Sequence, residues 1–153
     1  RHAIEQTRTT AMAAGTLVHR YLEMHLLDDA FVAGNLRIIA SPDAGQVSGT
    51  EIVGGVTEIL KRFFGSELHT RARKAKILGR EVPVYLSLDG KQWSGTIDLI
   101  IEENGAIIGV DYKVTKKPAE LPTEYEQQKR IYTVALRRIL GRDPASFEFW
   151  GLA

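Results

Sequence analysis

The sequence predicts an α/β fold: a small mixed sheet with an antiparallel three-stranded meander at its centre, flanked by helices. Three observations carry this. Residues 81–114 hold apolar runs at strand spacing, broken by two turn signals, Asp89-Gly90 and Glu103-Asn104-Gly105. Apolar residues at helical spacing stand before that segment and after it. A last aromatic run, "SFEFWGL", reads as a further strand beside the meander.

In chain order, residues 9–27 read as a first helix. Met12, Leu17, Tyr21 and Met24 recur at helical spacing, with Thr9 or Thr10 placed to cap it. The stretch "SPDAGQVSG", 41–49, is turn-rich. A second helix follows from about Thr50 to Phe64, although Gly54 and Gly55 weaken its interior. Ser66 caps a third, basic helix that ends before Gly79. Val82, Val84, Leu86 and Leu88 then alternate with Glu81, Pro83, Tyr85 and Ser87, the mark of a strand with one buried face. Strands over Trp93–Glu102 and Ala106–Val114 complete the meander. A "TKKPAELP" loop leads into a long helix, about Thr123 to Leu140.

Composition bounds the possibilities. The 153 residues suffice for one domain with a real core and are too few for two ordinary ones. Hydrophobic residues make up 44% and charged residues 25%, the balance of a globular protein. No apolar run approaches the ~18 residues of a membrane span, and no targeting segment is visible. Without cysteine the chain can form no disulfide, thiolate zinc site or iron–sulfur cluster, which fits a cytoplasmic setting. It opens on Arg1 rather than Met, as expected of a piece of a longer protein. Net charge is only +1, but the bases cluster. Lys61 to Arg80 holds seven bases and one acid, and Lys129 to Arg142 holds five bases and no acid. Such clusters suit an acidic polymer such as nucleic acid, or are solvated helix faces whose acids lie elsewhere.

The candidate site falls on two neighbouring strands. In "IIGVDYKV", Asp111 and Lys113 share one face at the end of an apolar strand, where charge is costly unless paired or bound to a metal. In "WSGTIDLII", alternation puts Trp93, Gly95, Ile97, Leu99 and Ile101 on one face, with Ser94, Thr96, Asp98 and Ile100 on the other. The hairpin between the strands brings Asp98 almost opposite Asp111. Two carboxylates so placed repel, and a divalent cation between them removes the objection. Oxygen ligands of this kind suit Mg²⁺ or Mn²⁺. Lys113 adds an ammonium that can stabilise charge developing on a phosphate, so the trio suits phosphodiester cleavage. The alternative is a surface Asp98 beside a solvated Asp111–Lys113 strand end. Asp-x-Lys alone carries little, since Asp89-Gly90-Lys91 repeats it in a turn.

Two helical segments add to this. In "GTLVHRYLE", His19 can supply a third ligand, with Gly15 one turn before it leaving room for close approach and Glu23 one turn after. His2, His25 and His69 read as surface residues. In "YEQQKRIYTVAL", Gln128 and Tyr132 share a face, with Tyr125 one turn before Gln128. They can orient a lysine or phosphate or stack on a base, or form an ordinary core pair.

Taken in order, "GTLVHRYLE", "REVPVYL", "SGTIDLII", "IIGVDYKV" and "YEQQKRIYTVAL" resemble the nuclease domain of the RecB and AddA type, within the PD-(D/E)xK nuclease superfamily. The resemblance runs from about Gly15 to Leu140. It implies a restriction-endonuclease-like core and a Mg²⁺- or Mn²⁺-dependent DNA exonuclease or endonuclease. It implies metal ligation by His19, Asp98, Asp111 and the backbone carbonyl of Tyr112, and catalysis by Asp98, Asp111, Lys113, Gln128 and Tyr132. Glu81 matches a recurrent glutamate of the family. Val114 stands where the family commonly has threonine, which removes a hydroxyl near the substrate. Some relatives bind an iron–sulfur cluster, for which this chain has no cysteine. The implied partners are DNA, single-stranded or at duplex ends, and a helicase domain in the same chain or a partner subunit, acting in double-strand break repair. Alternatives are a nuclease fold that holds DNA without cutting it, and a stand-alone endonuclease of the same superfamily.

Overall fold

Residues 2–40, 49–114, 123–142 and 145–152 are described by the computed structural model. The expected turns from 41 to 48 and the loop at 115–122 lie outside the described residues. The chain divides into two units, Arg1–Thr70 with Leu152–Ala153, and Arg71–Gly151.

The first unit is helical, with α1 (His2–His25), α2 (Ala33–Ala40), α3 (Gly49–Phe64) and the start of α4 (Glu67–Lys74). Its core follows the 3–4 spacing of the apolar residues. Leu17, Val18, Tyr21, Leu22 and Leu26 of the α1 segment are buried, as are Ile52, Val56, Leu60 and Phe63 of α3. Burial of each large apolar side chain is worth roughly 1.5–3 kcal/mol. That outweighs the cost of about 1 kcal/mol at each of Gly54 and Gly55, both exposed, so α3 forms as expected.

Several expectations are corrected here. The first helix begins well before residue 9, so Thr9 and Thr10 are interior rather than capping; no Gly or Pro before Gly15 stops it. Met24 is exposed, because the buried stripe centres on Val18 and Leu22 and leaves position 24 on its flank. Helix α2 was not expected, since its eight residues bury only Leu36 and Ala40. His69 is buried rather than at the surface. Its Nε2–H donates to the Leu26 carbonyl at 3.0 Å, and its ring packs on Phe63 and Phe64. His25 is half-buried, 2.9 Å from Asp28 and tilted against Tyr21. The side chain of His2 lies outside the described residues.

Ser66 does cap α4: its Oγ accepts the His69 N–H at 3.4 Å. The helix ends at Lys74, before Gly79 as expected, and the next strand starts at Lys76, which pairs with Glu102. The second unit holds this sheet, β1 (Lys76–Leu88), β2 (Lys91–Glu103), β3 (Ala106–Lys113) and β4 (Ala145–Gly151), in that spatial order. The first three strands form the expected antiparallel meander, and β4 joins β3 in parallel. Asp89 and Gly90 have φ of 53° and 75°, and Asn104 and Gly105 have 51° and 82°. Both connections are thus two-residue turns of the hairpin type the sequence signalled.

Helix α5 (Thr123–Leu140) connects β3 to β4 and covers one face of the sheet. Val84, Leu86, Ile97, Ile100, Leu136 and Phe147 belong to the core between them. Strict alternation along β2 does not hold. A Cβ on Gly95 would meet Tyr132 and one on Gly109 would meet Leu136, so both glycines face α5. Gly109 is the ladder partner of Ile100, which therefore faces α5 too. Residues 95 and 100 differ in parity, so the pleat slips once between them. The slip matches a gap in the β1–β2 ladder, between Arg80↔Leu99 and Val82↔Ile97. Ile97 and Ile100, expected on opposite faces, share one core.

Candidate active site

The gap in the ladder falls at Glu81 and Asp98. Glu81 has φ 48°, the one non-glycine residue with positive φ outside a hairpin turn among those described. Such a conformation inside a strand is unfavourable by about 1–3 kcal/mol and concentrates at functional sites.

On the other side of β2, Leu99↔Val110 is the end of the ladder with β3. One step further in the same register stand Asp98 and Asp111. Both are buried, 7% and 8% exposed. Asp98 Oδ2 accepts the Tyr112 N–H at 2.7 Å, taking the place of a strand carbonyl. Burial, with the neighbouring Asp98 second, pushes the Asp111 carboxyl up to about 7, while Lys113 works in the opposite direction. Lys113 Nζ is 2.7 Å from Asp111 Oδ2. The contact is off the line of a hydrogen bond, so that buried oxygen has a charge partner but no hydrogen-bond donor. The surface alternative for Asp98 and Asp111 is overturned.

This donor set fits a divalent cation. It offers hard carboxylate oxygens, one of them buried without a donor, in a pair whose second charge is disfavoured until a cation joins it.

Lys113 is fixed by rings. Its Nζ lies 4.4 Å from the centroid of Tyr125 on α5 and 5.4 Å from that of Phe149 on β4. Cation–π contacts of this kind are worth roughly 0.5–2 kcal/mol, more as water is excluded. Phe149 reaches the site because it is the β4 residue paired with Asp111. Burial also raises the Tyr112 phenol above its usual range, and its ring lies 6.4 Å from that of Trp150.

Gln128 and Tyr132 do share a face of α5, as expected. Both line a cavity of about 420 Å³ together with Trp93 and Tyr125. Tyr132 is buried and stacks on Phe147 at 5.1 Å, and its ring lies across the β2 backbone at Gly95. The α5 ring over Lys113 is Tyr125. Sequence reasoning gave Tyr125 only its place one turn before Gln128, and gave Phe149 and Trp93 no role. Their part follows from how α5 and β4 seat on the sheet, which no local pattern encodes.

His19 stands on α1, in the helical unit. Its Nδ1–H donates to the Gly15 carbonyl at 2.8 Å, which assigns the lone pair to Nε2. A Cβ at Gly15 would meet nothing within 4 Å, so the space beside this residue is open. Glu23 is exposed on the same helix.

The basic clusters prove partly neutralised by acids distant in sequence. Arg71 forks between Glu103 and Glu148, with N–O distances down to 2.7 Å, and lies over Trp150. Those bonds hold Glu148 below the usual carboxylate range and raise the guanidinium still further. Arg130 pairs with Asp89 and Arg142 with Glu102. Among the described residues, no helix is long and apolar enough to cross a membrane.

A family model of the PD-(D/E)XK nuclease superfamily matches residues 2–153. The chain belongs to that superfamily. Among solved structures this superfamily member resembles one described as a "Putative exonuclease" from Eubacterium rectale, at 18% identity and a TM-score of 0.57. The likeness covers 93% of this chain and 53% of that one, so the chain spans about half the length of that protein. No curated protein matches it. The expected α/β class, mixed sheet and superfamily are thus borne out. As PD-(D/E)XK nucleases generally use a divalent metal, the fit of Asp98 and Asp111 to a cation agrees with the family.

Proposed function

We propose that this chain is a divalent-metal-dependent deoxyribonuclease of the RecB and AddA type. The observation that carries the reading is the buried Asp98–Asp111 pair with Lys113 at 2.7 Å. A fold gains nothing from two like charges brought together away from water unless something else occupies the site.

On this reading Asp98 and Asp111 hold Mg²⁺ or Mn²⁺. The Tyr112 carbonyl and His19 complete the ligand set, His19 on the strength of its sequence motif and of its Nδ1–H being committed to the Gly15 carbonyl. When bound, the cation supplies Lewis acidity toward a phosphoryl oxygen and lowers the pKa of water. Lys113 stabilises negative charge developing on the phosphate, and Tyr125 and Phe149 restrict where its ammonium can go. Gln128 and Tyr132 contact the substrate strand from α5. Glu81 borders the site through its strained backbone.

The wider reading is a module that degrades DNA from its ends in the cytoplasm, coupled to a helicase in the same chain or a partner subunit during double-strand break repair. The order of motifs from His19 to Tyr132 supports it, as does the exonuclease description of the longer Eubacterium rectale protein.

End-labelled single-stranded DNA with Mg²⁺ or Mn²⁺ tests the activity. Wild type should cut it, and Asp111→Asn and Lys113→Ala should each lower the rate by at least 100-fold without unfolding the chain. Cutting that survives Asp111→Asn contradicts the assignment.

A further inference from the structure

The cavity beside Lys113 has a composition that phosphodiester chemistry does not call for. It is formed entirely within the sheet unit, between α5 and the first hairpin. Its walls include three aromatic rings, Trp93, Tyr125 and Tyr132, and two side-chain amides, Gln127 and Gln128, with Val84 and Ile131 buried. Trp93 is only half-buried, and Gln127 is exposed. A large indole that packs on the sheet core yet is left partly open, next to two side-chain amides, describes a binding wall.

We propose that this cavity is a nucleobase pocket, a reading that rests on the nuclease function above. One unpaired base of the substrate strand stacks on Trp93 and Tyr125, and the amides of Gln127 and Gln128 meet its polar edge. Three observations support it. First, size: about 420 Å³ lies in the range of sites that take a single small ligand, enough for one nucleoside and too little for a stacked base pair. Second, chemistry: aromatic faces bind bases of any sequence. A glutamine amide presents both a donor and an acceptor, so two of them meet different base edges without fixing one. Third, position: Tyr125 both lines the cavity and lies 4.4 Å from Lys113 Nζ, which is 2.7 Å from Asp111. A phosphate at Lys113 therefore places the base of an adjoining nucleotide at this pocket. The base must leave its duplex to enter, so the pocket directs the enzyme to single-stranded DNA or frayed ends.

The test is strand binding by the cleavage-impaired Asp111→Asn chain, read by fluorescence anisotropy. The probes are labelled oligo-dT, an abasic oligomer of the same length and a hairpin-capped duplex. Trp93→Ala should weaken oligo-dT binding roughly tenfold, as expected for loss of one stacking partner, and Gln127→Ala severalfold. Neither should alter binding of the abasic strand or the capped duplex. Trp93→Phe should recover most of the lost affinity, and Trp93→Leu, which keeps apolar bulk, should not. Because Gln127 is exposed, its variant stays informative if Trp93→Ala fails to fold. Equal losses on oligo-dT and the abasic strand, no loss on oligo-dT, or no binding of oligo-dT by the parent chain would each overturn the pocket. Wild-type cleavage is followed alongside. Base-dependent binding without metal-dependent cutting contradicts the nuclease reading and leaves the pocket standing. Cutting with base-indifferent binding contradicts the pocket alone.

Discussion

At Gly95 the backbone of β2 passes beneath Tyr132, and a methyl group there would fall 3.1 Å from the ring's Cζ. Tyr132 has little room to retreat, since its other side stacks on Phe147. Overpacking of this kind costs roughly 1–3 kcal/mol. Gly95→Ala should lose about that much stability in urea denaturation, and Tyr132→Phe in the same chain should restore part of it by removing the hydroxyl. Unchanged stability would show that Tyr132 does not sit where the site requires it. At this scale the sequence carried the acids and the lysine well. The two-residue period and the hairpin register placed Asp98, Asp111 and Lys113 together, because both are local rules. His69 was misread because its partner, the Leu26 carbonyl, is 43 residues away. Tyr125, Phe149 and Trp93 were missed for the same physical reason: their neighbours are chosen by how α5 and β4 pack.

Elements were legible where their signals are local. Two hairpin turns with positive φ at both central residues, and α5 from Thr123 to Leu140, lie where the sequence places them. The boundary between α4 and β1 was not, because pairing of Lys76 and Ile77 with β2 makes them strand whatever their own preference. Nor was the slip at Glu81 and Asp98, since an alternation rule has no term for a residue forced to positive φ. Helix α3 provides the quantitative check. Gly54 is exposed, and a Cβ there would meet nothing within 4 Å. Gly54→Ala should therefore stabilise the protein by about 0.5–1 kcal/mol in chemical denaturation, through helix propensity alone. A loss instead would mean that this face of α3 is covered.

For the whole molecule, two opposed proton linkages shape stability. Glu148 is held low by Arg71, so its contribution is present above the ordinary carboxylate range and fades as pH falls through it. Asp111 acts in the opposite sense. Its carboxyl is raised from 3.8 to about 7, so the folded protein holds a proton that the unfolded chain has released. That contribution is complete below 3.8 and is lost as pH rises toward 7. Without metal, stability should peak on the acid side of neutrality. A cation between Asp98 and Asp111 replaces the proton and reverses the decline, because ligand binding to the folded state alone raises stability. The most direct test of the central claim is thermal melting from pH 4 to 8, in EDTA and in Mn²⁺, for wild type and Asp111→Asn. The account predicts that wild type in EDTA melts lower as pH rises toward 7, that Mn²⁺ restores several degrees at pH 8, and that Asp111→Asn shows neither response. A wild-type chain indifferent to Mn²⁺ at pH 8, or an Asp111→Asn chain that responds equally, would contradict it.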